Sequence, residues 1–501
     1  MPRSLPGFVL VILLSLLFGA LINPGATRAN PDLLNSIIIR ADSLDRADGD
    51  AALAAYVREQ SILIGAVVAQ LIEDAIGAGD GGDAAAEKEN LDFAEKVVRH
   101  HLEESGSDIP KRLLETSRRW GTKERAIRRD ARSLEEQAVE LRSTQEPDAL
   151  GHAIELYNQA RDLYEQIDDK HSVAVNWGSL GVAHWFLGDM EGAREQYTQA
   201  LVARRLVEDR LLEGKTLNVL GSVNLNLGNF DEAESFYTQA VDLRTKTGDD
   251  LATSMTYLGQ LYSVVGDPIS ARDLYERALT VAENSGDVAG TMRALNGVAT
   301  MYSEMGRLNA SNETYRRGIE ILRHLDEPSD EIVLRSNLAT NLLEMGRYGE
   351  ALDELSVCER ILKEHPDPSK KPRFHSDRGL LYEYIGEFDR ARDDYLAYLK
   401  LARALENPDF ETDALTHLGS LYFSLGAYDR ALASAERAIE IGEETGAIAT
   451  VRHAAIVAGQ AALFLGKSRK AQTYYEKALA IDTEGEAAGL VIEDRIAIAS
   501  S

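Results

Sequence analysis

Between residues 131 and 481 the apolar positions keep a helical spacing that is broken at regular intervals. Glycine marks the breaks: Gly188, Gly228, Gly266, Gly306, Gly346, Gly386, Gly426 and Gly466 are separated by 40, 38, 40, 40, 40, 40 and 40 residues. Five residues after them stand Ala193, Ala233, Ala271, Ala351, Ala391, Ala431 and Ala471. Nine after stand Tyr197, Tyr237, Tyr275, Tyr315, Tyr395 and Tyr475, and twelve after stand Ala200, Ala240, Ala278, Ala438 and Ala478. Offsets of 5, 9 and 12 differ by four and three, so these residues share one helical face. Seven residues before the glycine comes Gly181, Gly221, Gly259, Gly379, Gly419 or Gly459, on a preceding helix that ends at the anchor glycine. Each anchor glycine suits a helix end that needs positive φ. Asp267 followed by Pro268 reads as an N-cap with proline at the first helical position. A period of this length marks a solenoid in which helix pairs stack because no pair buries its apolar face alone.

The succession Leu-Gly, Gly, Ala, Tyr, Ala resembles the tetratricopeptide repeat family. Trp177, Leu180, Gly181, Gly188, Ala193, Tyr197 and Ala200 match its motif within one repeat. The usual repeat has 34 residues and this one about 40, which is similar to a long-helix subgroup found in scaffold, adaptor and regulatory proteins. The extra residues lengthen the helices by about a turn and a half. The resemblance covers residues 131–481 as eight clear repeats plus one weak N-terminal one. In the weak repeat, Ala153, Tyr157 and Ala160 fall in register with Asp148 at the anchor position; the repeat anchored on Gly306 is degenerate, with Ser311 and Gly318 in place of the two alanines. It implies an all-α, right-handed superhelical solenoid of antiparallel helix pairs. It also implies that the first helix of each pair lines a concave groove that holds extended or helical peptides. On that reading the groove residues are Lys215, Asn218, Arg293, Asn296, Asn337, Arg373 and Arg378, with Ser222, Thr300, Thr340 and Asp377 beside them. Asn and Arg side chains of this kind hydrogen-bond a peptide backbone or a carboxylate. Trp185, Phe186, Tyr384, Phe423 and Phe464, one turn before the anchors, read as packing residues.

Outside the repeat, apolar stripes predict helices near 31–46, 50–77 and 84–104 in a helical N-terminal region, residues 30–130. GAGDGGD at 77–83 reads as a flexible link. Residues 482–501 read as a C-terminal capping helix. Residues 1–29 carry Arg3, an apolar run from Gly7 to Ile22 and a small-x-small site at Thr27-Arg28-Ala29, which together read as an export signal. The alternative is an uncleaved membrane anchor. Export implies a periplasmic or secreted protein.

Charge narrows the partners. Asp and Glu number 82 against 54 Lys and Arg, for a net charge of −28; removal of Arg3 and Arg28 gives 52 − 82 = −30. Such a chain repels nucleic acid. Residues 111–132 run against this trend, with nine Lys or Arg and three acids. They read either as a helix face paired with acidic repeats or as a contact for anionic lipid or an acidic partner. Trp120 at the centre reads as packing against the first repeat. The single cysteine, Cys358, reads as a buried core residue.

Catalytic chemistry is not legible. The adjacent rings of His100 and His101 point apart on a helix. Gly214-Lys215-Thr216 and Gly466-Lys467-Ser468 resemble the end of a phosphate loop, but Asp209 and Ala461 stand where its first glycine belongs. The expectation is a non-catalytic scaffold or adaptor that binds protein or peptide, without cofactor or metal. The alternative is a regulatory or sensor arm whose effector lies on another chain.

Overall fold

The computed structural model describes residues 64–80, 84–105, 109–248, 250–325 and 328–481, with Ile38, Ala41 and Leu53. Among these residues there is no strand, and the protein is an all-α helical repeat solenoid. The signal segment, the helix at 31–46 apart from Ile38 and Ala41, residues 50–63 apart from Leu53, and the cap at 482–501 lie outside the described residues. The chain divides into two compact units at Tyr257/Leu258.

The N-terminal unit begins with α1 (Ile64–Asp80), α2 (Ala84–Ser105) and α3 (Ile109–Ser117). Helix α1 continues through Gly77 and Gly79 to Asp80, so the first four residues of the predicted link are helical. Val68, Leu71 and Ile72 of α1 form a core with Ala94 and Val97 of α2, and a packed face overrides the low helix propensity of glycine. Helix pairs follow: α4 (Thr122–Thr144) with α5 (Pro147–Gln166), α6 (Lys170–Phe186) with α7 (Met190–Leu206), and α8 (Arg210–Asn226) with α9 (Phe230–Thr247). Trp120 is buried in the same core as α1 and α2 and donates its Nε1–H to the Ile167 carbonyl at 3.1 Å. In the weak first repeat the turn falls at Gln145, with φ +59°, three residues before the Asp148 register, because Asp148 is already inside α5.

Helix α10 (Leu251–Val264) contains the division. The C-terminal unit continues with α11 (Pro268–Ser285), α12 (Val288–Glu304), α13 (Leu308–Leu325), α14 (Pro328–Glu344), α15 (Tyr348–Glu364), α16 (Lys371–Tyr384), α17 (Phe388–Ala404), α18 (Pro408–Ser424), α19 (Tyr428–Thr445), α20 (Ile448–Phe464) and α21 (468–481). Each antiparallel pair turns at an anchor glycine. Gly266, for example, has φ +83°, and the Asp267 N–H behind it bonds the Tyr262 carbonyl at 2.8 Å. Asp267 then caps α11, its carboxylate accepting from Ser270 N–H at 3.0 Å.

Close approach explains the second set of glycines. A β-carbon on Gly379 would lie 2.6 Å from the Tyr395 ring, and one on Gly221 2.5 Å from the Tyr237 ring. The tyrosine therefore fills a space that only glycine leaves. Cys358 is buried in the core shared by α14 and α15, and burial pushes its thiol up to about 12. In the degenerate repeat, Ser311 stands where other repeats have alanine. Its hydroxyl is satisfied inside the core, donating to the Ala299 carbonyl at 2.7 Å and accepting from Asn341 Nδ2 at 2.7 Å.

Candidate peptide-binding face

Side chains four residues apart on a helix share a face, and that geometry selects one row on the first helices of the C-terminal unit. Asn296 of α12, Asn337 of α14 and Arg373 of α16 are each half-buried and form a ladder. Asn337 Nδ2 donates to Asn296 Oδ1 at 2.9 Å, and Arg373 Nη2 donates to Asn337 Oδ1. Arg373 Nε also reaches Asp377 Oδ2 at 3.4 Å. The ladder thus crosses three successive first helices. Asn337 both donates and accepts along the row, while Asn296 accepts and Arg373 donates.

Beyond Arg373 the row becomes ionisable. Burial raises the Asp377 carboxyl above its usual range, with Arg373 and the Ser336 hydroxyl opposing the rise. His417 of α18 follows, its ring stacked on Tyr395 at 4.9 Å between centroids and its Nε2 3.4 Å from Asp413 Oδ2. Burial disfavours the imidazolium, but Asp413, Glu383 and Asp377 outweigh it and raise its pKa. Tyr395 donates its hydroxyl to Glu383 Oε2 at 3.0 Å, and burial raises the Glu383 carboxyl. At the other end of the row, burial alone lifts Glu304 of α12 to about 7.

Other predicted groove residues are placed differently. Arg293 is half-buried on α12 with its guanidinium 3.9 Å from Asp287. Thr300 donates to the Asn296 carbonyl at 2.9 Å. Arg378 does not join the ladder. It lies next to Asp377 in sequence and is turned about 100° away around the helix. It makes two 2.8 Å hydrogen bonds to Asp394 of α17 and approaches Glu359 of α15 at 3.3 Å. It therefore ties α16 to two second helices.

In the N-terminal unit, Asn218 is buried and donates to Ser254 Oγ at 3.0 Å, so it bridges two first helices inside the protein. Ser222 is buried as well, 2.8 Å from the Tyr237 hydroxyl. Lys215 is half-buried, and burial lowers its pKa, an effect that Asp250 opposes.

The aromatic residues before the anchors divide in two. Trp185, Phe186 and Phe423 pack on core clusters. Tyr384 and Phe464 are exposed, and the Phe464 ring stacks on Tyr428 at 4.8 Å between centroids.

The basic segment 111–132 is largely ion-paired within its own unit. Arg112 meets Glu208 at 2.8 Å, Arg118 meets Glu95 at 2.6 Å and Arg125 meets Glu87 at 2.7 Å. Arg128 is buried against Asp169 at 3.2 Å. Among the described residues, no group of three or more His, Cys, Asp or Glu is arranged to hold a metal ion. No described helix is long and apolar enough to cross a membrane.

The tetratricopeptide repeat family matches residues 174–203, 212–284, 250–324 and 410–484. No curated protein matches the sequence. Solved structures similar to this one include three with low identity. A signal transduction ATPase with numerous domains and a tetratricopeptide repeat sensor, from Pyrococcus horikoshii, has a TM-score of 0.45 at 12% identity; the match covers 69% of this chain and 55% of that one. A Rap protein complexed with competence and sporulation factor has a TM-score of 0.46 at 14% identity, covering 72% and 99%. Aspartyl phosphate phosphatase F from Bacillus subtilis has a TM-score of 0.47 at 11% identity, covering 70% and 94%. This chain thus spans little more than half the length of the Pyrococcus protein. The repeat signature, the paired helices and the family match agree: tetratricopeptide repeats make up the matched parts of the chain, residues 174–203, 212–324 and 410–484.

Proposed function

We propose that the protein is a non-catalytic scaffold or adaptor that holds a peptide segment of a partner along the first helices of its C-terminal unit. The observation that carries this reading is the ladder Asn296–Asn337–Arg373–Asp377. Its side chains are half-buried rather than sealed in the core, so each keeps hydrogen-bonding capacity toward a ligand. Asparagine bonds a peptide backbone through both its amide and its carbonyl, which favours an extended chain of broad sequence. The ionisable stretch at Asp377, His417 and Asp413 adds a charge requirement at one end. The apolar segment at residues 1–29 supports an exported, periplasmic or secreted setting for this partner.

The test is affinity capture from native lysate with residues 30–501 as bait, beside a bait carrying Asn296→Ala, Asn337→Ala and Arg373→Ala. Proteins held by the first and lost from the second support the reading. Identical captures with both baits remove the ladder as the binding face.

A further inference from the structure

Gly214-Lys215-Thr216 lies inside α8 as regular helix, so it forms no phosphate loop. What surrounds it is cationic. Successive residues on a helix point about 100° apart, so residues 214 and 216 flank Lys215, and a guanidinium lies against each. Arg244 of α9 is 0% exposed, and a β-carbon on Gly214 would lie 2.8 Å from its Nε. Arg204 of α7 donates from Nη1 to the Leu212 carbonyl at 3.2 Å and to Thr216 Oγ1. A β-carbon on Gly178 would lie 2.6 Å from Arg204 Nη2. Glycines on two successive first helices, α6 and α8, thus make room for the two guanidiniums.

The acids of this region are already engaged. Glu213 meets Arg205 and Arg210, each at 2.8 Å. Asp209 accepts from the Leu212 N–H at 2.9 Å as the cap of α8. Asp250 lies 3.2 Å from Arg244 Nη1. Lys215 is half-buried, yet its Nζ makes no hydrogen bond or ion pair among the described residues. Burial lowers its pKa; Arg244 and Arg204 add to the effect, while Asp250 and Asp209 oppose it. A desolvated lysine beside like charges is the arrangement that favours a neutral, nucleophilic amine.

Two features select the electrophile. A half-buried amine admits a small reagent, and flanking guanidiniums favour an adduct that carries negative charge. Carbon dioxide satisfies both, because it is small and uncharged on entry and its adduct with an amine is an anion. We infer that Lys215 is a modification site, carbamylated reversibly by carbon dioxide beside the Arg204 and Arg244 guanidiniums. The Nζ lone pair forms a bond to the carbon, a C=O electron pair moves to oxygen, and an amine proton leaves to solvent. Lysine becomes Lys-NH-COO⁻ with nothing oxidised or reduced. The side chain passes from cation to anion, which exchanges repulsion by the guanidiniums for attraction. Carbon dioxide thereby sets the charge at this point of the N-terminal unit. The inference is independent of what the ladder binds.

The test uses the full chain in bicarbonate buffer at pH 8 under ¹³C-labelled carbon dioxide. Triethyloxonium converts a carbamate to a stable ethyl ester, and digestion with mass spectrometry locates it. Lys123, exposed in the same unit, is the reference. In the folded chain, labelling of Lys215 roughly tenfold or more above Lys123 is expected, and the difference is expected to vanish in the urea-unfolded chain. Equal or weaker labelling of Lys215 in the folded chain overturns the inference, as does a preference that persists on unfolding. Bicarbonate held without a covalent bond yields no ester and overturns it too. Carbon NMR gives a second reading. The carbamate resonance of the unaltered chain is expected to be absent from Lys215→Arg, and a resonance that stays removes the assignment to Lys215.

Discussion

The Tyr395 and His417 rings lie 4.9 Å apart and within 11° of parallel, joining the second helix of one pair to the first helix of the next. The contact links the packing layer to the ionisable part of the candidate face. Tyr395 is buried, while His417 reaches the row that also holds Asp377 and Asp413. His417→Leu keeps the packing but removes the imidazole. It is expected to leave α18 folded by circular dichroism and to change the pH dependence of ligand binding. A ligand affinity with an unchanged pH profile would disagree.

The ladder also contributes stability. Asn337→Ala removes one bond from Asn296 and one from Arg373. A net hydrogen bond is worth about 1 kcal/mol, so a loss of roughly 1–2 kcal/mol is expected from urea denaturation. Because the site is half-buried, water replaces part of the loss, and the lower end of that range is favoured.

The interior glycines are predicted to be far less tolerant than their place in helices suggests. Gly379→Ala drives a methyl to 2.6 Å from the Tyr395 ring. Overpacking of this kind costs about 1–3 kcal/mol, against the roughly 1 kcal/mol that alanine gains over glycine in a helix. A lowered melting temperature is expected. Gly386→Ala has open space around it but φ +80°, and its cost of about 1–2 kcal/mol comes from backbone strain.

Glu304 gives a pH prediction with a definite sign. Burial lifts its carboxyl to about 7 in the folded protein, above the ordinary range near 4.3. The folded state therefore favours the protonated form. That contribution is complete below about pH 4 and is lost as the pH rises through 7. Glu304→Gln stays neutral throughout. It is expected to stabilise the protein by about 1–2 kcal/mol at pH 8 and by almost nothing at pH 4.5, as read by thermal unfolding at the two pH values.

In the N-terminal unit the buried Arg128–Asp169 pair and the exposed Arg118–Glu95 pair form a controlled comparison. Removing Arg128 leaves a buried carboxylate and is expected to cost about 3–5 kcal/mol. Removing Arg118 is expected to cost less than about 1 kcal/mol. Chemical denaturation of Arg128→Met and Arg118→Met distinguishes the two.

Much of the architecture was legible because the repeat is dictated by sterics. A glycine at positive φ, a glycine under a ring and a tyrosine nine residues on leave few alternatives, and the pairing of helices follows. Local context decided the rest. Asn218 and Asn337 read alike in sequence, yet Ser254 draws the first into the interior while Asn296 and Arg373 hold the second at the face. Arg378 read as a groove residue from its place beside Gly379 on a first helix, but its side chain is held by Asp394 of a second helix. Asn341 escaped notice altogether. Its partner Ser311 was visible only as a departure from the repeat, and that departure was the available signal for a polar core. The glycines at 77 and 79 read as a link because glycine is a weak helix former, while the core that α1 makes with α2 through Val68, Leu71 and Ile72 carries the helix through them.

The most direct test of the central claim is the affinity of a partner-derived peptide, identified by capture, for the folded wild-type protein and for Asn337→Ala. Two lost hydrogen bonds to the ladder, at about 1 kcal/mol each, predict that binding by titration calorimetry weakens roughly tenfold or more. An affinity unchanged within twofold, with the variant folded, would contradict a groove held by Asn296, Asn337 and Arg373.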